Sequence, residues 1–436
     1  MTTPLPHLIG NYAPVTEELT AHELSVTGRI PAELSGWYLR NGPNPHAAVS
    51  SHWFLGDGMV HGVRLDNGRA ISYRNRWVRT STFTDGARSY DSRGNRNLAA
   101  GVANTHIIRH AGHTLALVES SYPYELTCEL DTVGPYDFHG KLRTAMTAHP
   151  KTCPTTGELH FFGYDVTGPT YLTYHRADAA GNLLLSRPVE VPAATMHHDF
   201  NLTTEHVVFM DLPVVFDIET AKTGAGMPFR WRDDYQARLG VLRRDDPHGA
   251  IRWFPIDPCY VFHSLNAHDE PGRIVLHVMR YPQLWRTESH TYDEASLWRW
   301  TIDLTTGTVT EEQLDDRAAE FPRIDDRLAG LDARFGHVTV SGESGTGAVI
   351  RYDLYTGSHT THEFHAGQLP GEAAFAPADE RPDGAGYLMT YVYNADADRS
   401  DLVVLDATDL AAPPLATIHL PARVPQGFHG NWLPDL

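Results

Sequence analysis

The amino-acid sequence predicts an all-β protein folded as a seven-bladed β-propeller. Three observations lead there. Short β-branched and aromatic runs, among them "ELHFFGYD", "HVVFMDL", "RIVLHVMRY" and "GYLMTYVYN", stand between Gly, Asn and Asp turns, the pattern of hairpin-connected strands. No long amphipathic helix interrupts them; "DRAAEF" and "DYQARLGV" have room only for short helical turns. One unit also recurs from end to end: strand, aspartate, a few turn residues usually including glycine, then strand again.

The recurring unit can be followed in order. It places Asp66 in "VRLDNGRAISY", Asp131 in "CELDTVGPYDF", Asp178 in "YHRADAAGNLLL" and Asp245 in "VLRRDDPHGAIRWF". Asp303 in "WTIDLTTGTVTEE", Asp353 in "IRYDLYTGSHTTHEF" and Asp406 in "VVLDATDLAAPPLATIHL" complete it. The aspartates are roughly 45 to 70 residues apart, about the size of a propeller blade. Asp or Asn beside Gly is what a hairpin turn requires, because these residues tolerate positive φ or bond their own backbone. Seven units fill the chain and no Pro- or Ser-rich linker marks off a second domain. Residues 1–436 are therefore expected to form a single propeller domain.

Composition narrows the function classes. A chain of 436 residues with 41% hydrophobic content, 9 Trp, 19 Tyr and 16 Phe has ample material for one large all-β core. Its 35 Lys+Arg against 54 Asp+Glu give a net charge of −19, with no basic stripe to hold a phosphate backbone, so nucleic acid is excluded as a partner. Cys128, Cys153 and Cys259 form no CxxC and no disulfide framework, which suits a reducing cytoplasm. The start, "MTTPLPHLIGNYAPV", lacks the basic-then-apolar order of a signal peptide, and no apolar stretch is long enough to span a bilayer. A cytoplasmic protein without a transmembrane segment is expected.

Four histidine motifs carry the chemistry. "YVFHSLNAHDE" (260–270) sets His263 directly after an apolar strand start, where an imidazole needs a hydrogen-bond partner, a metal or water. His149 in "TAHPK", His197 and His198 in "MHHDF", and His429 in "GFHGNW" have similarly apolar or tightly turned surroundings. On the repeat these motifs fall on different blades, and a propeller brings the inner ends of its blades together around one axis, where four imidazoles can meet. Spacing does not choose between His197 and His198, and among 26 histidines a single structural hydrogen bond is the commoner fate. Three glutamates stand in apolar settings: Glu119 in "LALVESSYPYE", Glu320 in "AAEFPRID" and Glu372 in "PGEAAFAP". Each either pairs with an arginine (Arg323, for Glu320) or accepts the second ring N–H of a ligand histidine. There is no HExxH, GxSxG elbow, Walker loop or strand-to-helix GxGxxG.

At these motifs the sequence resembles the carotenoid cleavage oxygenase family, whose members act on carotenoids, apocarotenoids and stilbene-like phenylpropanoids. The likeness runs nearly end to end. "GWYLRNGPNP" (36–45) and "HWFLGDGMVHGVRL" (52–65) resemble its N-terminal signatures, and the four histidine motifs occur in the family's order. The resemblance implies one Fe(II) per chain on the propeller axis, held by His149, His198, His263 and His429. In "MHHDF" the family's ligand is the histidine immediately before Asp, hence His198. Glu119, Glu320 and Glu372 take the role of outer carboxylates that orient the ligands. His197 and His268 match no ligand position; His268 stands where the family often has an aromatic residue, so its polarity is expected near the metal. Four neutral imidazoles leave the metal charge uncancelled. The carboxylates offset part of it at one remove and leave coordination positions open for O2, whereas a four-histidine zinc site would more often be closed. Copper also accepts imidazole, so iron rests on the resemblance.

The implied reaction is O2-dependent cleavage of a conjugated C=C bond into two carbonyl products. The olefin supplies the electrons, without 2-oxoglutarate, flavin or nicotinamide. Phe54, Tyr122 and Phe262 are candidates to line the substrate tunnel. Val118 stands where stilbene-cleaving members carry a lysine that helps bind a phenol, which favours an apocarotenoid or similar apolar olefin over a stilbenoid or phenylpropanoid. The segment "FDIETAKTGAGMPFRWRDD" (216–234) takes the place of an apolar membrane patch and is polar apart from Met227, Phe229 and Trp231, which in turn favours a smaller, more soluble olefin and at most weak peripheral membrane contact. Readings from other classes are a protein-binding propeller scaffold and a calcium-dependent propeller hydrolase with Asp, Glu and Asn ligands. Retention of all four histidine motifs argues against the scaffold.

Overall fold

The computed structural model describes residues 5–435 apart from 48, 169, 225, 342–345 and 383. It divides into two compact units, Asp137–Ala333 on the one hand and Met1–Tyr136 with Arg334–Leu436 on the other. Among the described residues the strands form seven larger antiparallel sheets and one short ribbon, Val214–Phe216 against Phe229–Trp231. The fold is the seven-bladed β-propeller that the turn repeat predicts.

The unit 137–333 holds three complete blades. They begin at Lys151–Thr152, Phe200–Leu202 and Tyr260–Glu270, and each is continued by three antiparallel partners. Second strands are buried on both faces, as in Leu159–Tyr164 and His206–Asp211, which explains their unbroken apolar runs. Fourth strands face water on one side and alternate, as in Leu183–Val189 and Thr308–Gln313. Phe162, Tyr174, Phe200, Val207, Phe209 and Leu242 form a buried cluster in which two neighbouring blades pack together.

In the other unit the chain's end completes its beginning. The C-terminal strand Gly430–Pro434 pairs with Gly36–Pro43, setting Gly430 opposite Arg40 and Pro434 opposite Gly36. Val26–Gly28 likewise pairs with Ala416–His419. These pairings cover strand edges that would otherwise be open to other chains.

All seven aspartates of the repeat occupy one station, the hairpin before the fourth strand of a blade. The chemistry is local. Asp178 Oδ1 accepts from the Ala180 and Asn182 N–H groups (3.0 and 2.8 Å). Asp303 Oδ1 accepts from Thr305 and Thr306 (2.9 and 2.8 Å), and Asp353 Oδ1 from Tyr355 and Thr356 (3.1 and 3.2 Å). In the first blade Asn67 and Gly68 both have positive φ, +47° and +73°, as a two-residue hairpin demands.

The segment 216–234, whose residue 225 lies outside the described set, carries the short helix Ile218–Thr223 and one arm of the ribbon. Phe229 and Trp231 are buried there, Phe229 edge-on to Phe216, so neither contributes to an apolar surface patch. No helix among the described residues is long and apolar enough to cross a membrane.

Candidate metal centre

Three of the four histidine motifs belong to the unit 137–333, and each lies at or near the start of a blade's first strand. His149 and Pro150 lead into Lys151–Thr152, and His198 and Asp199 lead into Phe200–Leu202. His263 sits inside Tyr260–Glu270, where the pairing with Arg273–Tyr281 slips between Val261 and Ser264 and again between Ser264 and Asn266. Such irregularities re-aim a side chain, and this one accounts for an imidazole at the end of the apolar run "YVF".

The three imidazoles face one another. Their ring centroids are 4.5 Å (149–198), 5.0 Å (149–263) and 5.2 Å (198–263) apart. Nε2 of His149 is 3.0 Å from Nε2 of His198, and one ligand nitrogen from each of the three rings lies within 4.8 Å of the others. Behind His263 stands Glu320, with Oε2 2.6 Å from Nδ1. A carboxylate accepts only, so Nδ1 carries the proton and Nε2 presents its lone pair. Glu320 accepts twice more, from the Tyr281 hydroxyl (3.0 Å) and the Phe321 N–H (2.5 Å). Burial and the neighbouring Glu320 charge push the Tyr281 pKa well up, so its hydroxyl stays a donor. Glu320 thus serves His263, while Arg323 pairs with Asp326 (3.1 Å). A nitrogen-only set backed by a carboxylate suits iron, copper or zinc and not the oxygen-seeking Ca²⁺ or Mg²⁺.

Neighbouring histidines have other duties. His197 is 1% exposed, with Nδ1 3.0 Å from Thr195 Oγ1, and that hydroxyl donates to Asp211 (2.9 Å). Burial holds its pKa down. Successive residues of extended chain point to opposite sides, which is why His198 and not His197 joins the cluster. His268 lies five residues beyond His263, beside Glu270 (3.8 Å) and Asp332 (3.7 Å), with its ring stacked on His277. Its polarity serves the far end of the strand and not the cluster. Phe262 stands edge-on to His198 at 5.2 Å and packs with Tyr260, Tyr281 and Trp285, an aromatic wall beside the imidazoles. Sequence reasoning passed over Thr147, Lys151, Asp199 and Tyr281, all close to the ligand motifs in space.

The other unit holds the fourth motif, built the same way. His429 Nδ1 is 2.9 Å from Glu372 Oε1, and Glu372 Oε2 accepts the Gly430 N–H at 2.8 Å; both side chains are buried. The glycines of "QGFHGNW" are required by close approach. A Cβ at position 427 would lie 2.6 Å from Arg40 Cζ, and one at position 430 would lie 2.6 Å from the Leu39 carbonyl oxygen. Glu119 lies half-buried in the turn after His113–Leu117, next to the buried Val118. Phe54 packs edge-on against Phe428 at 5.4 Å. Tyr122 is half-buried, its N–H bonded to the Leu98 carbonyl.

The family model described as retinal pigment epithelial membrane protein matches residues 12–434. The "Carotenoid cleavage oxygenase" of Mycobacterium tuberculosis is 42% identical over 494 aligned positions, covering 98% of this chain and 97% of that protein. The chain belongs to the carotenoid cleavage oxygenase family. It is an enzyme of that family's type, an oxygenase that cleaves carbon–carbon double bonds. Another relative is the "Isoeugenol monooxygenase" of Pseudomonas putida, 31% identical over 98% of both chains. Among solved structures, the lignostilbene dioxygenase of Pseudomonas brassicacearum matches with a TM-score of 0.87 at 29% identity over the whole of both chains. A variant of Synechocystis apocarotenoid oxygenase matches with a TM-score of 0.86 at 27% identity over 98% of both.

Proposed function

We propose that this oxygenase is a non-haem Fe(II) enzyme that splits a conjugated C=C bond with O2 into two carbonyl products, on an apocarotenoid or similar apolar olefin. The observation that carries the reading is the cluster of His149, His198 and His263, with Glu320 holding the rear nitrogen of His263. His429 supplies the fourth imidazole; its support is the matching construction, a ring nitrogen held by Glu372 at the start of an inner strand. Glu119 is assigned the same orienting role by its motif. Fe(II) in this set would supply the activation of dioxygen.

The chain's own residues do the rest. Glu320 and Glu372 fix ring orientation and keep a proton on each Nδ1, so that the opposite nitrogens stay available as ligands. Phe262, with Phe54 and Tyr122, is proposed to hold an extended apolar substrate and keep water away from the reacting bond. Buried Val118 offers no cation to a phenolate, which favours an apocarotenoid. The likeness to lignostilbene dioxygenase and isoeugenol monooxygenase supports a stilbenoid or phenylpropanoid as the second reading.

The test is incubation of the Fe(II)-loaded protein with apocarotenals and stilbenoids under air, with products identified by mass. Aldehyde pairs from one class and incorporation of ¹⁸O from ¹⁸O₂ are expected. A protein that consumes no O2 with any conjugated olefin would overturn the proposal.

A further inference from the structure

We infer that Asp199, paired with Lys151, is a positioning residue that keeps the three imidazole-bearing segments of the unit 137–333 in register. The inference rests on the metal reading above and adds to it the group that holds the ligand backbones. Each ligand motif contributes a residue close behind its histidine. Lys151 follows His149 and Pro150, Asp199 follows His198, and Ser264 follows His263. Asp199 joins all three. Its Oδ1 is 2.8 Å from Lys151 Nζ and accepts the Phe200 N–H at 2.8 Å; its Oδ2 accepts the Ser264 N–H at 2.8 Å. The Asp199 side chain is 1% exposed and that of Lys151 23%.

The contact to Ser264 answers a backbone question. The ladder between Tyr260–Glu270 and Arg273–Tyr281 is irregular on both sides of Ser264, and a buried N–H must find an acceptor. Asp199 supplies it, so the irregularity that aims His263 is held by the residue after His198. Buried Thr147 adds a second clip: its hydroxyl accepts the His149 N–H (3.1 Å) and donates to the His198 carbonyl (3.2 Å). Asp199 differs from Glu320 in charge balance. Lys151 neutralises it, so it holds geometry without adding net negative charge beside the ligands. Removing either partner leaves the other charge uncompensated in a largely dry place.

The experiment titrates metal-free protein with Co(II), following the d–d absorption bands, with thermal unfolding measured in parallel. Asp199→Asn keeps an acceptor for Ser264 but turns an NH₂ group toward the Lys151 ammonium. We expect its Co(II) Kd to rise about 10- to 100-fold, with displaced bands. Lys151→Met should weaken binding in the same direction by less. The double variant, in which no ammonium opposes the amide, should recover part of the affinity lost in Asp199→Asn. The control is Asp269→Asn, a carboxylate bonded to His206 Nδ1 (2.7 Å) and the Glu205 N–H (2.8 Å); it should lower thermal stability while leaving Co(II) affinity and band positions unchanged. Wild-type Kd and bands in both Asp199→Asn and Lys151→Met would overturn the inference and leave the metal reading standing. If Asp199→Asn does not fold, Lys151→Met decides alone. A wild-type protein that binds no Co(II) would sink the metal reading and this inference with it.

Discussion

Two sets of histidines in the same unit, 137–333, have opposite characters. His160, His175 and His277 lie within second and third strands, and burial pushes the pKa of each down to about 3. Two of them bond hydroxyls, and the far nitrogen of His160 also faces Arg244 Nη2 at 3.4 Å with Glu158 at 3.7 Å. His160 meets the Tyr174 hydroxyl at 2.6 Å, and His175 lies between Ser186 (2.9 Å) and Thr144 (2.8 Å). His149, His198 and His263 stand instead at the inner strands, ring against ring, and the rear nitrogen of His263 meets a carboxylate from another blade. Full burial therefore does not mark the candidate ligands, since His198 and His263 are only half-buried while His160, His175 and His277 are buried. The mark is convergence of several imidazoles from segments distant in sequence, with a carboxylate behind.

The comparison breaks most visibly if His263→Ala keeps its metal. That variant should lose iron binding and turnover altogether while retaining native circular dichroism. A mid-strand replacement such as His175→Phe should leave bound iron unchanged. Next in size is Glu320→Gln. It keeps the fold but no longer enforces the protonated Nδ1 of His263, and metal affinity should fall about 10- to 100-fold in a Co(II) or Fe(II) titration.

The mid-strand set makes its own prediction, in pH. The unfolded pKa of histidine is about 6.5 and the folded value of His160, His175 and His277 is about 3. Between these values the unfolded chain holds protons that the folded chain lacks. Their full stability is present above pH 6.5 and is lost progressively as pH falls toward 3, by about 1.4 kcal/mol per pH unit for each histidine. Urea midpoints at pH 7.5 and 5.5 measure this, and His277→Phe should make the pH dependence shallower. The smallest expected effect is at the outer hairpins: Asp178→Ala removes two backbone N–H contacts and those of the Asn182 amide from an exposed turn and should cost about 1 kcal/mol, with no change in metal content.

These regions also differ in how far the sequence reveals them. Asp178, Asp303 and Asp353 bond backbone groups two to four residues away, so a local pattern exposes both the hairpin and the seven-fold repeat. His263 and Glu320 meet through the propeller, 57 residues apart. Motif resemblance names the pair, but spacing cannot. The choice of His198 over His197 follows from strand alternation once the direction of one side chain is known, and a sequence carries no such direction. Asp199 went unnoticed because its decisive partners, Lys151 and the Ser264 N–H, come from other segments and one of them is backbone. The strand irregularity at Ser264 has no Gly or Pro to announce it.

The central claim is that the imidazoles of His149, His198 and His263 hold a metal that the adjacent His197 does not touch. Iron content after anaerobic loading with Fe(II) and gel filtration tests it directly, on wild type, His197→Gln and His198→Ala. One iron per chain is predicted for wild type and His197→Gln, and none for His198→Ala. Iron-free wild-type protein, or equal iron in wild type and His198→Ala, would contradict the account.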